Sequence, residues 1–163
     1  MIGFGMPVQV RRCGTSVAVE RLVIGDLVYD PLSDNYIELV DILSRGTAAL
    51  GNRLVRLRAD VLRPGCPSRD VLVSRQQCIG VATRTSAPDP MRLEFRPAHR
   101  LGEEVGVPTR LFALFPERSG CISVAGMLLQ VQDMAALLAG TPAAMAARQP
   151  RADLSPRLRG GRE

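Results

Sequence analysis

The sequence predicts an all-β domain of many short strands with a short helix-prone extension at its C-terminal end. Three observations carry that prediction. Apolar runs of three to six residues, bounded by Gly, Pro, Asn or Asp, recur through residues 1 to 130, which is the strand pattern and not the helix pattern. With 163 residues and an apolar share of 46%, the chain has about one domain's length and enough apolar surface for a core. That core must be aliphatic, because there is no Trp and only 4 Phe and 2 Tyr.

Val8 to Val10 reads as a strand, followed by a turn at Cys13-Gly14, and Val17 to Leu22 reads as the next strand or half-strand. Gly25-Asp26 marks a tight turn: Gly lets the backbone pass, and Asp caps the turn before the buried strand Leu27 to Asp30. Ser33-Asp34-Asn35 is a hairpin turn leading into Tyr36 to Leu43. Leu54 to Arg58 alternates as a strand with one wet face should, and Ala59 to Leu62 is read as a helical turn closed by Pro64-Gly65. Short strands follow at Val71 to Val73 and Cys78 to Ala82, then a Pro-containing loop over Ser86 to Pro90. Met91 to Phe95, Arg110 to Phe115 and Cys121 to Val131 complete the strands, with one helical turn within Pro97 to Gly102. After Asp133, Met134 to Leu138 and Ala143 to Arg148 are helix-prone, and the remainder is rich in Pro, Arg and Gly. The expected organisation is a β domain over 1–132, a helix-prone extension over 133–148 and a disordered tail over 149–163.

Composition narrows the function classes. All 21 basic residues are Arg and the net charge is +5. The stretch from Arg148 onward supplies +3 of that, leaving the body only weakly basic. A nucleic-acid face needs basic residues clustered on folded elements, so such binding falls to the tail, as the weakest functional expectation. The 4 Cys (Cys13, Cys66, Cys78, Cys121) are scattered, with no C-x-x-C pair, and there is 1 His. A zinc site of ordinary spacing is not expected, nor a disulfide scaffold, and no cofactor is implied. There is no signal peptide and no apolar stretch of membrane-spanning length, so the expectation is a soluble cytoplasmic protein with reduced thiols.

Two blocks carry a family resemblance. The first is Gly5-Met6-Pro7-Val8-Gln9-Val10, then Gly14, then Val19-Glu20-Arg21-Leu22-Val23-Ile24-Gly25-Asp26-Leu27-Val28. The second is Arg69-Asp70-Val71-Leu72-Val73-Ser74-Arg75-Gln76-Gln77. In this order they resemble the hedgehog/intein (Hint) family, and the bacterial stand-alone subset in particular. Pro97-Ala98-His99-Arg100-Leu101 and Leu111 to Gly126 are similar to that subset's later segments. The resemblance covers roughly residues 1 to 130 and implies a horseshoe-like, pseudo-two-fold β fold.

It also implies a chemistry. In active members the first residue is Cys or Ser and attacks the preceding carbonyl, converting a peptide bond to a thioester or ester. A His three residues after a Ser or Thr polarises and protonates the scissile amide. Counting back from Gly5, the nucleophile position is Met1, and the His position is Gln77, three residues after Ser74. Near the closing His position stands Ser119. A thioether forms no acyl ester, an amide shuttles no proton near neutral pH, and a chain beginning at Met1 is expected to have no upstream segment to release. The implied protein is a domain degenerate in autoprocessing, acting as an interaction or structural module with an unidentified protein partner. The enzymatic alternative is residual autoprocessing, or an amidase-like activity using Cys78 with His99, and Ser74 is the third fallback catalytic candidate. Gly5, Gly25, Asp26, Arg69, Asp70 and Ser74 are read as structural positions of the motif.

Overall fold

The computed structural model describes residues 1–11, 15–47, 54–83 and 92–138. Short alternating or buried runs give thirteen strands among these residues: β1 (Ile2–Gly3), β2 (Pro7–Gln9), β3 (Ser16–Ala18), β4 (Leu27–Asp30), β5 (Asn35–Gly46), β6 (Leu54–Leu57), β7 (Val71–Ser74), β8 (Cys78–Thr83), β9 (Arg92–Pro97), β10 (Glu103–Val105), β11 (Arg110–Pro116), β12 (Gly120–Val124) and β13 (Met127–Val131). A five-residue helix, α1 (Met134–Leu138), follows. The protein is therefore all-β, as its pattern predicts.

The strands form two antiparallel sheets. One has the order β10-β6-β7-β1-β11-β5-β4 and the other β3-β2-β12-β13-β8-β9. Val8, Val28, Ile37, Leu39, Val55, Leu57, Val71, Val73, Ile79, Ile122 and Leu129 come from both sheets into one fully buried aliphatic core. This answers the scarcity of aromatic residues: branched side chains at alternating strand positions fill the space between the sheets.

Turn chemistry sets the connections. Gly25 has φ +90°, and its N–H donates to Leu39 O (2.8 Å). Asp26 is buried and accepts from Val23 N–H through Oδ2 (2.9 Å), so it caps the turn as its type suggests. Gly5, at φ +77°, donates its N–H to Glu20 Oε2 (2.9 Å), tying the end of β1 to the segment after β3. Asp34 takes φ +49° in the hairpin between β4 and β5.

Several local expectations change. Val19 to Leu22 continues β3 not as a strand but as a 3₁₀ turn over Val19–Arg21. Val19 N–H still donates to Met6 O in the register of β2 with β3, and the chain then turns back on itself with Leu22 N–H donating to Val19 O. The turn expected at Ala59 to Leu62 is not helical: Asp60 has φ +63°, and Leu62 and Arg63 both donate to Cys66 O, which makes a loop. Cys121 to Val131 is a hairpin, broken where Ala125 and Gly126 both take positive φ. The helical turn near Pro97 is a 3₁₀ turn, Ala98–Arg100. Cys13, the Ser86 to Pro90 loop, the Ala143 to Arg148 helix and the tail lie outside the described residues. No helix among the described residues is long and apolar enough to cross a membrane.

Candidate functional site

The position of β1 decides the site. Its two residues sit inside the seven-stranded sheet, Ile2 opposite Phe112 of β11 and Val73 of β7. Ile2 is buried, which anchors the chain start. Residue 1 is thereby delivered to the end of β7, where the chain turns through Ser74-Arg75-Gln76-Gln77 into β8. That turn closes with Gln77 N–H donating to Ser74 O (3.0 Å).

Ser74 holds Met1 twice: its N–H donates to Met1 O (3.0 Å), and its Oγ accepts from the Met1 nitrogen (3.1 Å). Gln77 Oε1 accepts from the same nitrogen at 2.7 Å. The other end of the Gln77 amide donates to Gln130 O (2.8 Å) and Cys78 O (3.2 Å). Two carbonyls thus dictate where the Nε2 end lies, and Oε1 is left facing Met1. Burial pushes the Met1 amine down from its ordinary 8.0 to about 6, because the charged form loses water that the two oxygens only partly replace.

These groups lie along one wall of a cleft of about 410 Å³ between the two sheets. Leu43 and Arg45 of β5, Phe112 and Leu114 of β11, and Cys78 and Gln130 are among its other lining residues. The wall is mostly apolar, with polar groups gathered around Met1. Within it the arrangement can hold a hydrogen-bonding group at Met1 N, yet the Met1 side chain brings no thiol or hydroxyl and Gln77 no titratable proton.

No protein-family model matches the chain, and no curated protein matches it. Among solved structures it is similar to the gp41-1 intein, at 10% identity and a TM-score of 0.47, over 78% of this chain and 95% of the intein. A substituted form of the same intein matches at 9% identity and a TM-score of 0.46, over 78% of this chain and 96% of that one. At such identities and scores the likeness carries no argument about chemistry, which rests on the side chains of this chain.

Motif residues outside the cleft have local partners. Asp70 Oδ1 accepts from Ala59 N–H (3.0 Å), closing the loop between β6 and β7, while Arg69 beside it is exposed. Ser119 faces Asp133: its Oγ and N–H donate to Asp133 Oδ2 (2.8 and 3.1 Å), and Asp133 N–H donates back to Ser119 Oγ (3.0 Å). Asp133 Oδ1 also accepts from Ala136 N–H (2.6 Å) and so caps α1; these bonds hold its carboxyl below the usual range.

Cys78 and His99 have separate partners. Cys78 Sγ lies 3.8 Å from Gln76 O, and burial raises its thiol pKa. His99 Nδ1 lies 3.3 Å from Arg75 O, and its backbone N–H donates to the same carbonyl (3.2 Å). Among the described residues no group of three or more His, Cys, Asp or Glu could hold a metal ion. Sequence reasoning missed Gln130, which acts through a main-chain carbonyl and so leaves no signature in residue type.

Proposed function

We propose that this chain is a Hint-type domain whose autoprocessing centre has lost its chemistry, and that it serves as an interaction or structural module. The carrying observation is the convergence of residue 1, Ser74 and Gln77, far apart in sequence, around one nitrogen with contacts of 2.7 and 3.1 Å. An acyl shift needs a nucleophile at residue 1 and a proton donor at the scissile amide. Here the Met1 thioether cannot hold an acyl group as an ester. Gln77 spends both N–H groups on Gln130 O and Cys78 O, leaving only an acceptor toward Met1. The geometry of the motif is kept while its function becomes a fixed hydrogen-bond frame.

An amidase-like reading through Cys78 and His99 finds less support. Reactive cysteines need a lowered pKa and a basic neighbour. Burial moves the Cys78 thiol the other way, and the imidazole is engaged with Arg75 O. Intact-mass measurement during incubation with dithiothreitol or hydroxylamine tests the proposal. A constant mass is expected; time-dependent cleavage would overturn it.

A further inference from the structure

Among the described residues the longest strand, β5, is paired on only one edge along half of its length. In β5, Asn35 to Glu38 pair with β4 on one side, whereas Leu39 to Gly46 pair with β11 on the other. Past Leu39, whose N–H and C=O still reach Asp26 O and Gly25 N–H, no described residue pairs with the second edge. Val40, Leu43, Ser44, Arg45 and Gly46 are exposed there. Other sheet edges are short, as in β3 and β10, or interrupted by charge, as in β9 with Arg92, Glu94 and Arg96 ending at Pro97. Such features keep an edge from pairing, and this half of β5 has fewer of them.

The register shows which groups face outward. Thr47 N–H donates to Thr109 O, on the β11 side. By alternation Leu43 and Arg45 also turn their backbone groups toward β11, and Ile42 and Ser44 turn theirs to the open edge. In agreement, Ile42 N–H donates to its neighbour's carboxylate, Asp41 Oδ1, at 2.8 Å and to no other described residue. Asp41, Leu43 and Arg45 share the opposite alternation and stand across from Phe115, Ala113 and Leu111.

We propose that a second copy of this chain docks antiparallel along the open edge of β5, with Leu43 on the two-fold axis. In that register Ile42 and Ser44 exchange backbone hydrogen bonds with Ser44 and Ile42 of the second copy. Leu43 meets Leu43 of the second copy, and each Asp41 lies opposite an Arg45. The segment is thus self-complementary in backbone direction, apolar contact and charge at once, the property an isologous interface requires. Arg45 makes no ion pair among the described residues, so it is free to take this partner. Docking exchanges the Asp41 bond to Ile42 N–H for one from Ser44 of the second copy and releases the carboxylate to Arg45. The interface is small, so a weak and concentration-dependent dimer follows. It does not depend on the proposed function, since neither Met1 nor Gln77 takes part.

Sedimentation velocity of the full chain over roughly 1–300 µM tests the inference, a span that covers weak association. A monomer–dimer equilibrium is expected. R45D, which sets Asp against Asp twice, is expected to weaken it about tenfold or more, and D41R/R45D to recover most of the loss. L43C is expected to oxidise to a disulfide-linked dimer, because a non-hydrogen-bonded pair brings Cα atoms to about 4.5 Å, within disulfide range. Three outcomes would each overturn it: a monomer over the whole range, a dimer indifferent to R45D, or a charge swap that restores nothing.

Discussion

Replacing Gln77 by Ala removes three hydrogen bonds at one stroke: Met1 N to Oε1 (2.7 Å), Nε2 to Gln130 O (2.8 Å) and Nε2 to Cys78 O (3.2 Å). A single such bond contributes about 1 kcal/mol net, and a partner left without water costs about 1–3 kcal/mol. Removing the Gln77 side chain leaves room in the cleft for water beside Met1, and the Cys78 bond is the longest of the three. The loss falls mainly on Gln130 O, which gives an expected cost of about 2–3 kcal/mol for Gln77→Ala. Gln77→His is expected to cost only about 1 kcal/mol, because one ring nitrogen can accept from Met1 while the other donates to Gln130 O. That economy holds only for the neutral ring, so the His variant is expected to lose stability as pH falls through the ordinary imidazole range. Urea unfolding of the three proteins at pH 7.5 and 5.5 reads all of this. A Gln77→Ala protein within about 0.5 kcal/mol of the parent would refute the claim that the amide orders the site, as would a His variant no better than Ala.

The Met1 amine, pushed down from 8.0 to about 6 in the folded protein, binds fewer protons there than in the unfolded chain. Stability is therefore expected to be full above pH 8 and to fall as pH drops toward 6, by at most about 3 kcal/mol from this group; urea midpoints that do not move between pH 8 and 6 would contradict it. Iodoacetamide is expected to label Cys78 more slowly than a free thiol, and Cys121, buried with its thiol pushed up to about 12, only on unfolding; peptide mass mapping over time would show either reversed. Gly102→Ala would drive a Cβ into Arg56 O and against Leu57 Cδ2 and Val55 Cγ1 at 2.8 Å. A loss of about 1–3 kcal/mol is expected from that overlap with β6, and an unchanged melting temperature would refute it.

Residue pattern reached most of the fold because most strands obey it. Leu27–Asp30 coincides with its expected bounds, and β6, β7, β8 and β11 differ from theirs by a residue or so. The strands that escaped notice have no period to read. β1 is two residues long and owes its place to Ile2 being buried between Val73 and Phe112. β10 has the sequence Glu-Glu-Val, with no apolar alternation, and pairs with β6. At the site, the spacing from Gly5 and from Arg69-Asp70 singled out Met1, Ser74 and Gln77, and the structure brings these three to one nitrogen. Gln130 could not be found that way, since any residue supplies a carbonyl. Leu43 and Arg45 belong to the cleft through the pairing of β5 with β11, a long-range register that residue type does not encode.

The proposed loss of autoprocessing rests on two side chains, Met1 and Gln77. Its most direct test places a short peptide ahead of residue 1 and follows intact mass in dithiothreitol for the parent and for the M1C/Q77H protein. The double variant carries a thiol at residue 1 and an imidazole at the position held 2.7 Å from its nitrogen. Cleavage ahead of residue 1 is expected in the double variant and none in the parent. Cleavage of the parent, or a double variant that stays intact, would contradict the proposal.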